Sequence, residues 1–145
     1  MDSDVVGRTS PSFAMRVELG KVREFARALG VRADESPSDE STYILPTFLR
    51  TQAFWQDETA DPLAMAGFDV ARGVHAEQEY VFFGEPPQVG DQLEFSTRIE
   101  QVYRKTGSRG GEMTFLVSIT EFRDAKGRVV AESRSTSVEL GDYGA

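Results

Sequence analysis

The sequence predicts an α+β fold in which an antiparallel sheet of about five strands curls around a central helix. The first half of the chain has apolar residues at helical spacing, and the second half has four long segments of alternating apolar and polar residues. A sheet with one apolar face must bury it against another element. The only apolar segment available for that is 46–55, so we expect it to be the central helix. The length suits one domain, residues 1–145, with 1–10 loosely held.

The first elements are one strand and one helix. Alternation of apolar and polar residues in 13–18 predicts a short strand. A helix is expected over 20–29, ended by Gly30. Its apolar face is formed by residues spaced at i, i+3, i+4 and i+7: Val22, Phe25, Ala26 and Leu29.

A polar stretch, 32–42, separates this helix from the segment that is expected to cover the sheet. It predicts an ordered turn or a mobile loop. Pro46 suits the first turn of a helix, and 46–55 is apolar on more than one side, which is typical of a helix embedded in a core. Residues 56–73 have the composition of loops.

The second half predicts strands joined by short turns. The strand segments are 74–83, 93–104, 112–123 and 129–140. Short connections imply an antiparallel meander, because parallel strands need longer crossovers. A sheet of this kind curled around one helix is the hot-dog arrangement.

Three serines alternate along the last predicted strand, at Ser133, Ser135 and Ser137. The pattern predicts an edge or interface strand. It does not predict a serine nucleophile, because the chain has no Gly-x-Ser-x-Gly turn and no spare histidine.

The chain has no cysteine and one histidine, His75. The composition excludes a thiol nucleophile, a disulfide and a cysteine metal site. Any histidine-based acid or base chemistry must fall on His75. We therefore predict no metal and no cofactor.

The net charge of −8 argues against nucleic acid as a partner, because phosphate binding needs a basic surface. The acidic start is unlike a secretory signal and no apolar run is long enough for a membrane helix, so we expect a cytoplasmic protein without a membrane partner. One basic cluster combines Arg104, Lys105 and Arg109. It is either a solvated hairpin tip or a phosphate contact for a coenzyme A or carrier-protein arm.

At this point the chain resembles the MaoC-like hydratases and dehydratases, specifically their N-terminal-type hot-dog domain. The resemblance spans about residues 6–140. It is also similar to the non-catalytic subunit of mycobacterial-type heterodimeric hydroxyacyl-carrier-protein dehydratases, which shapes the acyl channel. The residues that carry the resemblance are Gly7, Ala28-Leu29-Gly30, the loop 34–39, Leu45-Pro46-Thr47-Phe48, residues 74–80 and Val89-Gly90-Asp91.

Active members of this family carry a loop of the form Asp-x-Asn-Pro-x-His, whose Asp and His act on a water and the acyl thioester. Here Asp34 and Pro37 match, Ser36 replaces Asn, and Asp39 stands where the histidine is expected. A carboxylate with a pKa of about 4 is a far weaker base at neutral pH than His at about 6.5. Two acids in one loop can instead share acid and base roles. The resemblance implies Asp34 and Asp39 as candidate catalytic residues in a subunit that lacks the full pair, and His75 is a third candidate.

The resemblance places His75 at a strand start where N-terminal-type domains often have a histidine that is not the dehydratase base. One interpretation is that His75 bonds a neighbouring carboxylate or carbonyl and fixes the strand. The other is that it contacts substrate or replaces the missing loop histidine. The distances from His75 to Asp34 and Asp39 distinguish the two.

The start of the central helix is a candidate binding site, because a helix that starts with proline offers unpaired N–H groups and a positive dipole end. The candidate substrate-binding residues here are Pro46, Thr47 and Phe48. The alternative is that they only cap the helix.

Three functions stay open. The first is an acyl-thioester-binding subunit, for acyl-CoA or acyl-carrier protein, of a (3R)-hydroxyacyl dehydratase or enoyl hydratase. The second is an autonomous hydratase or acyl-CoA thioesterase that uses carboxylates, for which Glu40, Asp57 and Glu58 lie near the central helix. The third is a non-enzymatic binding or structural protein. All three predict a homodimer, or a heterodimer with a catalytic MaoC-like subunit, because a curled sheet leaves an edge strand exposed.

Overall fold

The computed structural model describes residues 3–35, 37–38, 42–107 and 111–141. Five strands form one antiparallel sheet: β1 (Phe13–Arg16), β2 (Gly73–Phe82), β3 (Gln92–Thr106), β4 (Glu112–Arg123) and β5 (Val129–Leu140). Two α-helices are α1 (Leu19–Ala28) and the short α2 (Pro62–Met65). The predicted hot-dog fold is confirmed, and the strand bounds agree with the alternation in the sequence.

The central helix runs from Pro46 to Trp55 and is a 3₁₀ helix, with about three residues per turn. Its residues therefore fall into three columns. Phe48 and Leu49 are buried in two of them, while Thr47 and Arg50 belong to the third. Thr47 and Arg50 are exposed, so the helix packs on the sheet with the other two columns. Near the end of the helix Phe54 is 80% exposed, whereas Trp55 packs against the core.

The sheet order is β1-β3-β4-β5-β2, so the predicted meander is correct only for β3, β4 and β5. β2 pairs with β5 and forms one edge of the sheet. The connection 83–91 crosses the end of the sheet to reach β3. Short connections exclude parallel neighbours but do not require that consecutive strands pair, which is why the sequence argument was wrong here.

Of the two alternatives for the serine-bearing strand, an edge strand or an interface strand, the first is wrong. β5 lies between β4 and β2. Its serines alternate because they all point to the concave face of the sheet. This face is partly polar, although it is not simply exposed to solvent.

Two apolar clusters pack on the concave face. The larger surrounds Phe48, Phe95 and Phe122, with ring centroids of Phe95 and Phe122 5.9 Å apart. Phe25 of α1 meets Phe48 edge to face at 5.6 Å. The smaller cluster contains Val5, Ala66, Ile99 and Leu116. The two clusters fix the helices against the sheet. Between the helices and the sheet they leave a gap.

None of the described helices is both long enough and apolar enough to cross a membrane.

Candidate functional site

A cavity of about 570 Å³ occupies the gap between the sheet and the helices that cover it. Strands β2, β4 and β5 form one wall. The central helix, α1, α2 and the segment before β2 form the other. This volume is in the range of small-molecule sites.

The strand register arranges polar side chains of the sheet wall in three rows across β4, β5 and β2. Each row shares one level of the concave face, because alternate residues of a strand point to the same side. The rows are Thr120, Ser133 and Tyr80; Ser118, Ser135 and Gln78; and Leu116, Ser137 and His75. All of these except Leu116 line the cavity.

Hydrogen bonds order part of this wall. The hydroxyls of Thr97 and Thr120 are 2.8 Å apart. The amide nitrogen of Gln78 donates to the Ser133 hydroxyl at 2.7 Å and to the carbonyl of Arg134 at 3.0 Å. The wall is thus partly fixed before any ligand binds.

Tyr80 stands where the sheet wall meets the central helix. Burial raises the pKa of the Tyr80 phenol, while the positive charge of Arg50 and a hydrogen bond with Ser133 act in the opposite direction. Tyr80 is therefore a neutral hydrogen-bonding group at pH 7.

The opposite wall is mostly apolar and carries two charged residues. Phe25, Leu63 and Phe68 line it. Arg50 comes from the exposed column of the central helix, and Asp61 comes from the start of α2. One oxygen of Asp61 caps α2 by accepting from the Leu63 amide at 2.8 Å.

His75 lines the cavity at the start of β2. It lies opposite Ser137, and an irregularity in the pairing follows between His75 and Glu77. The side chain is exposed.

Asp34 does not reach this cavity. It lies in a 3₁₀ turn, Ala33–Glu35, with 66% of its side chain exposed, and pairs with Arg32 at 3.1 Å. Its neighbours Glu35 and Pro37 line a separate, smaller cavity. Asp34 and His75 therefore do not line the same cavity. Asp39 lies outside the described residues.

The start of the central helix contributes one of its three expected residues to the cavity. Thr47 lines it. Phe48 is buried in the core, and its amide donates to the carbonyl of Leu45 at 2.8 Å. Pro46 begins the helix.

The basic cluster is at the β3–β4 hairpin, away from the cavity lining. Arg104 pairs with Glu112 at 3.2 Å. The Lys105 ammonium lies 5.2 Å and 5.3 Å from the stacked rings of Tyr103 and Phe115. Arg109 lies outside the described residues. The phosphate contact stays a prediction.

Within the described ranges, no group of three or more His, Asp or Glu side chains is placed to hold a metal ion.

Sequence reasoning did not identify Arg50, Gln78 and Tyr80 as cavity residues. The alternation of serines on β5 was the available signal, but it was interpreted as an edge or interface strand. Arg50 carries no sequence signal, because its position depends on the 3₁₀ geometry of the central helix.

The family model described as "FAS1-like, dehydratase domain region" matches residues 4–133. The chain belongs to this family. The resemblance to MaoC-like dehydratases is likewise confirmed. No curated protein matches the chain.

Solved structures of MaoC-like proteins share the fold. A C-terminally truncated HadBC (3R-hydroxyacyl-ACP dehydratase) complex from Mycobacterium tuberculosis matches with 21% identity and a TM-score of 0.71, over 95% of this chain and 99% of that chain. The ChsH1-ChsH2 complex of the same organism matches with 18% identity and a TM-score of 0.70, over 94% and 86%. A MaoC-like dehydratase from Rhodospirillum rubrum matches with 19% identity and a TM-score of 0.56, over 94% and 93%.

Proposed function

We propose that this chain is the acyl-thioester-binding subunit of a (3R)-hydroxyacyl dehydratase or enoyl hydratase and takes its full catalytic pair from a MaoC-like partner. The acyl group is carried on coenzyme A or a carrier protein. One observation carries the proposal: Asp34, which matches the family motif, is exposed and paired with Arg32, whereas His75 lines the cavity. Asp34 is absent from the residues that line this cavity, which supports a subunit that does not itself supply the acid–base pair of the family loop.

The comparisons support the partner in this proposal. Two of the similar structures are complexes, and the chain aligns with nearly the whole length of one of their subunits. Family membership supports dehydratase or hydratase chemistry for the assembly.

The free edge of strand β2 supports a binding surface for the partner. β2 pairs with β5 on one side, and in the described part of the chain no strand pairs with its other side. Val74 and Val81 on this strand are 49% and 39% exposed. An edge with free backbone groups and exposed apolar side chains favours pairing with another chain, so we place the partner along β2.

A second candidate, an autonomous hydratase, is favoured by a different observation. His75 and Asp61 line the same cavity. Imidazole and carboxylate side chains are among the groups that serve as general acids and bases in enzymes.

Purification from the native host tests the partner. We expect the chain to bring down a second hot-dog subunit that carries Asp-x-Asn-Pro-x-His. Recovery of this chain as a homodimer without such a subunit contradicts the proposal.

Hydration of crotonyl-CoA distinguishes the two candidates. We expect the chain alone to be inactive and the assembled complex to be active, with Asp34→Ala having little effect on the complex. Activity of the chain alone that Asp34→Ala abolishes would refute the proposal. Activity of the chain alone that falls in His75→Asn and Asp61→Asn, but not in the control Asp57→Asn, would establish the second candidate. Asparagine at position 61 keeps an acceptor for the α2 cap.

A further inference from the structure

We propose that the cavity is a blind acyl pocket whose inner end is closed by the hydrogen-bonded pair of Thr97 and Thr120. This pair thereby sets the longest acyl chain that the pocket holds. The inference rests on the proposed function, because it assigns the chain-length class of the acyl group in the same cavity.

The exposure of the lining residues marks the mouth of the cavity. Three large apolar residues that line it are strongly exposed: Leu29 at 56%, Val70 at 71% and Val74 at 49%. Leu29 follows α1, Val70 begins the 3₁₀ turn before β2, and Val74 lies at the start of β2, the edge strand. A thioester that is attached to a coenzyme or a carrier protein must enter from a side that is open to solvent, so these residues surround its entry.

Both walls become better buried with distance from this mouth. On the sheet wall His75 of β2 is exposed, whereas Ser118 and Thr120 of β4 are each 5% exposed. On the helical wall Arg50 is exposed, whereas Gln52 is 7% exposed. The cavity therefore deepens from β2 toward β4.

The cavity stops at strand β3. This strand lies beside β4 in the sheet, yet none of its described residues lines the cavity. Its concave face is closely packed, because Phe95, Thr97 and Ile99 are at most 2% exposed. The hydroxyls of Thr97 and Thr120 are 2.8 Å apart, so Thr120 is the lining residue that is held directly against β3.

The region behind this pair is closed as well. The amide of Thr97 donates to the Ser10 hydroxyl at 3.0 Å, and the amide of Ser10 donates to the Thr97 carbonyl at 2.8 Å. Phe95 and Ile99, the neighbours of Thr97 on the concave face, belong to the larger and the smaller apolar cluster. Because protein interiors are close-packed, an acyl chain whose end reaches Thr120 has no room to extend further.

A blind pocket makes affinity depend on chain length in two stages. Each methylene group that the pocket buries strengthens binding by about fourfold. Once the end of the chain meets Thr120, a further methylene group must stay outside the pocket or displace packed side chains. The gain in affinity then disappears, and the chain length at which this happens is the limit of the pocket.

The test is equilibrium dialysis of the full chain, in the assembly in which it is purified, against saturated acyl-pantetheine thioesters. Pantetheine is the arm that coenzyme A and carrier proteins share. The acyl chains increase one carbon at a time from butanoyl to hexadecanoyl. We expect the affinity of the wild type to rise with chain length and then to stop rising at the limit.

Substitutions at the inner end should move the limit. Thr120→Ala removes two side-chain atoms and should raise it by about one or two carbons. Thr120→Val keeps the volume of the side chain, loses only the hydrogen bond to Thr97, and should leave the limit where it is. Ser118→Val enlarges a lining residue with a side chain that suits a strand, and should lower the limit by about one carbon.

Thr136→Ala is the matched control. It removes the same two atoms as Thr120→Ala, but from the opposite face of the sheet, so it should keep the limit of the wild type. Circular dichroism checks that each variant is folded. If Thr120→Ala does not fold, Ser118→Val decides, because it tests the same end with the opposite sign.

Two results would overturn the inference and leave the proposed function intact. One is an affinity that rises without a limit, or a limit that neither Thr120→Ala nor Ser118→Val moves. The other is a limit that Thr120→Val moves as far as Thr120→Ala, because the hydrogen bond and not the closed end would then be responsible. Absence of binding of every thioester at millimolar concentration would overturn the proposed function as well.

Discussion

The side-chain amide of Gln78 donates to the hydroxyl of Ser133 across a distance of 2.7 Å and so joins the edge strand β2 to the interior strand β5. The bond lies on the concave face, inside the wall of the cavity. The same nitrogen reaches the carbonyl of Arg134 at 3.0 Å. Gln78 therefore fixes the strand that carries it as well as the polar wall beside it.

We expect Gln78→Leu to lower the free energy of unfolding by about 1–3 kcal/mol, because it removes the hydrogen bonds from Gln78 to the Ser133 hydroxyl and the Arg134 carbonyl. Urea denaturation followed by circular dichroism measures the change. Glu79→Ala is the control on the exposed face of the same strand, and it should change the free energy of unfolding by no more than about 0.5 kcal/mol. Equal effects of the two substitutions would contradict the role of Gln78.

Two phenylalanines provide a matched test of the core. Phe122 is 0% exposed and Phe54 is 80% exposed. Phe122→Ala should lower the free energy of unfolding by about 3–5 kcal/mol, because it leaves a cavity beside Phe95. Phe54→Ala should lower the free energy of unfolding by less than about 1 kcal/mol, since the ring is mostly exposed and lies 5.6 Å from the Lys21 ammonium. Thermal and urea unfolding of both variants measure the difference, and a large loss in Phe54→Ala would show that the central helix is packed differently.

Tyr80 gives a pH-dependent prediction. Burial raises the pKa of its phenol above the ordinary value of 10.0. Because the folded pKa is above the unfolded one, the stabilisation is complete below pH 10 and is lost as the pH rises through the folded pKa. The ultraviolet titration of the wild type minus that of Tyr80→Phe isolates this group among the four tyrosines.

Arg50→Gln extends the titration test. The charge of Arg50 lowers the pKa of Tyr80, so its removal should raise that pKa further. A midpoint for Tyr80 at or below pH 10, or a downward shift in Arg50→Gln, would contradict the burial of the phenol beside Arg50.

We predict that position 73 must be glycine, because the Phe68 ring leaves no room there for a side chain. A methyl group there would overlap the Phe68 ring and lie 3.2 Å from the carbonyl oxygen of Val70. Gly73→Ala should therefore lower the free energy of unfolding by about 1–3 kcal/mol and displace the Phe68 ring, which lines the cavity. Gly20→Ala in α1 is the control, because a methyl group there meets open space. It should raise the free energy of unfolding by up to about 1 kcal/mol. Thermal unfolding checks both, and a neutral Gly73→Ala would show that Phe68 moves freely.

The strands could be predicted from the sequence because apolar and polar residues alternate along a strand when the two faces of its sheet have different surroundings. The helical face of α1 was equally visible, with Val22 and Ala26 buried as expected. The order of the strands was not predictable from the alternation, because it says which side a residue faces and not which strand lies beside it. The pairing of β2 with β5 depends on the path of the connection 83–91 around the sheet.

The candidate site was predicted only in part. Thr47 and His75 line the cavity, whereas Asp34 matches a family loop in sequence but lies elsewhere in space. Ser118 and Ser137 show why the rest was missed. Each is an ordinary polar residue of its own strand, and the polar wall exists only once the register of β4 and β5 brings them together.

The pairing of β2 with β5 also sets the order in which the molecule can be assembled. Gln78 and Ser133 are 55 residues apart in the chain, and β3 and β4 lie between them in the sequence. Contacts of such high sequence separation form slowly, after loop closure has been achieved. β2 therefore cannot pair with β5 until that later strand has been synthesised, so we expect both edges of β2 to stay open longer than those of β3 and β4.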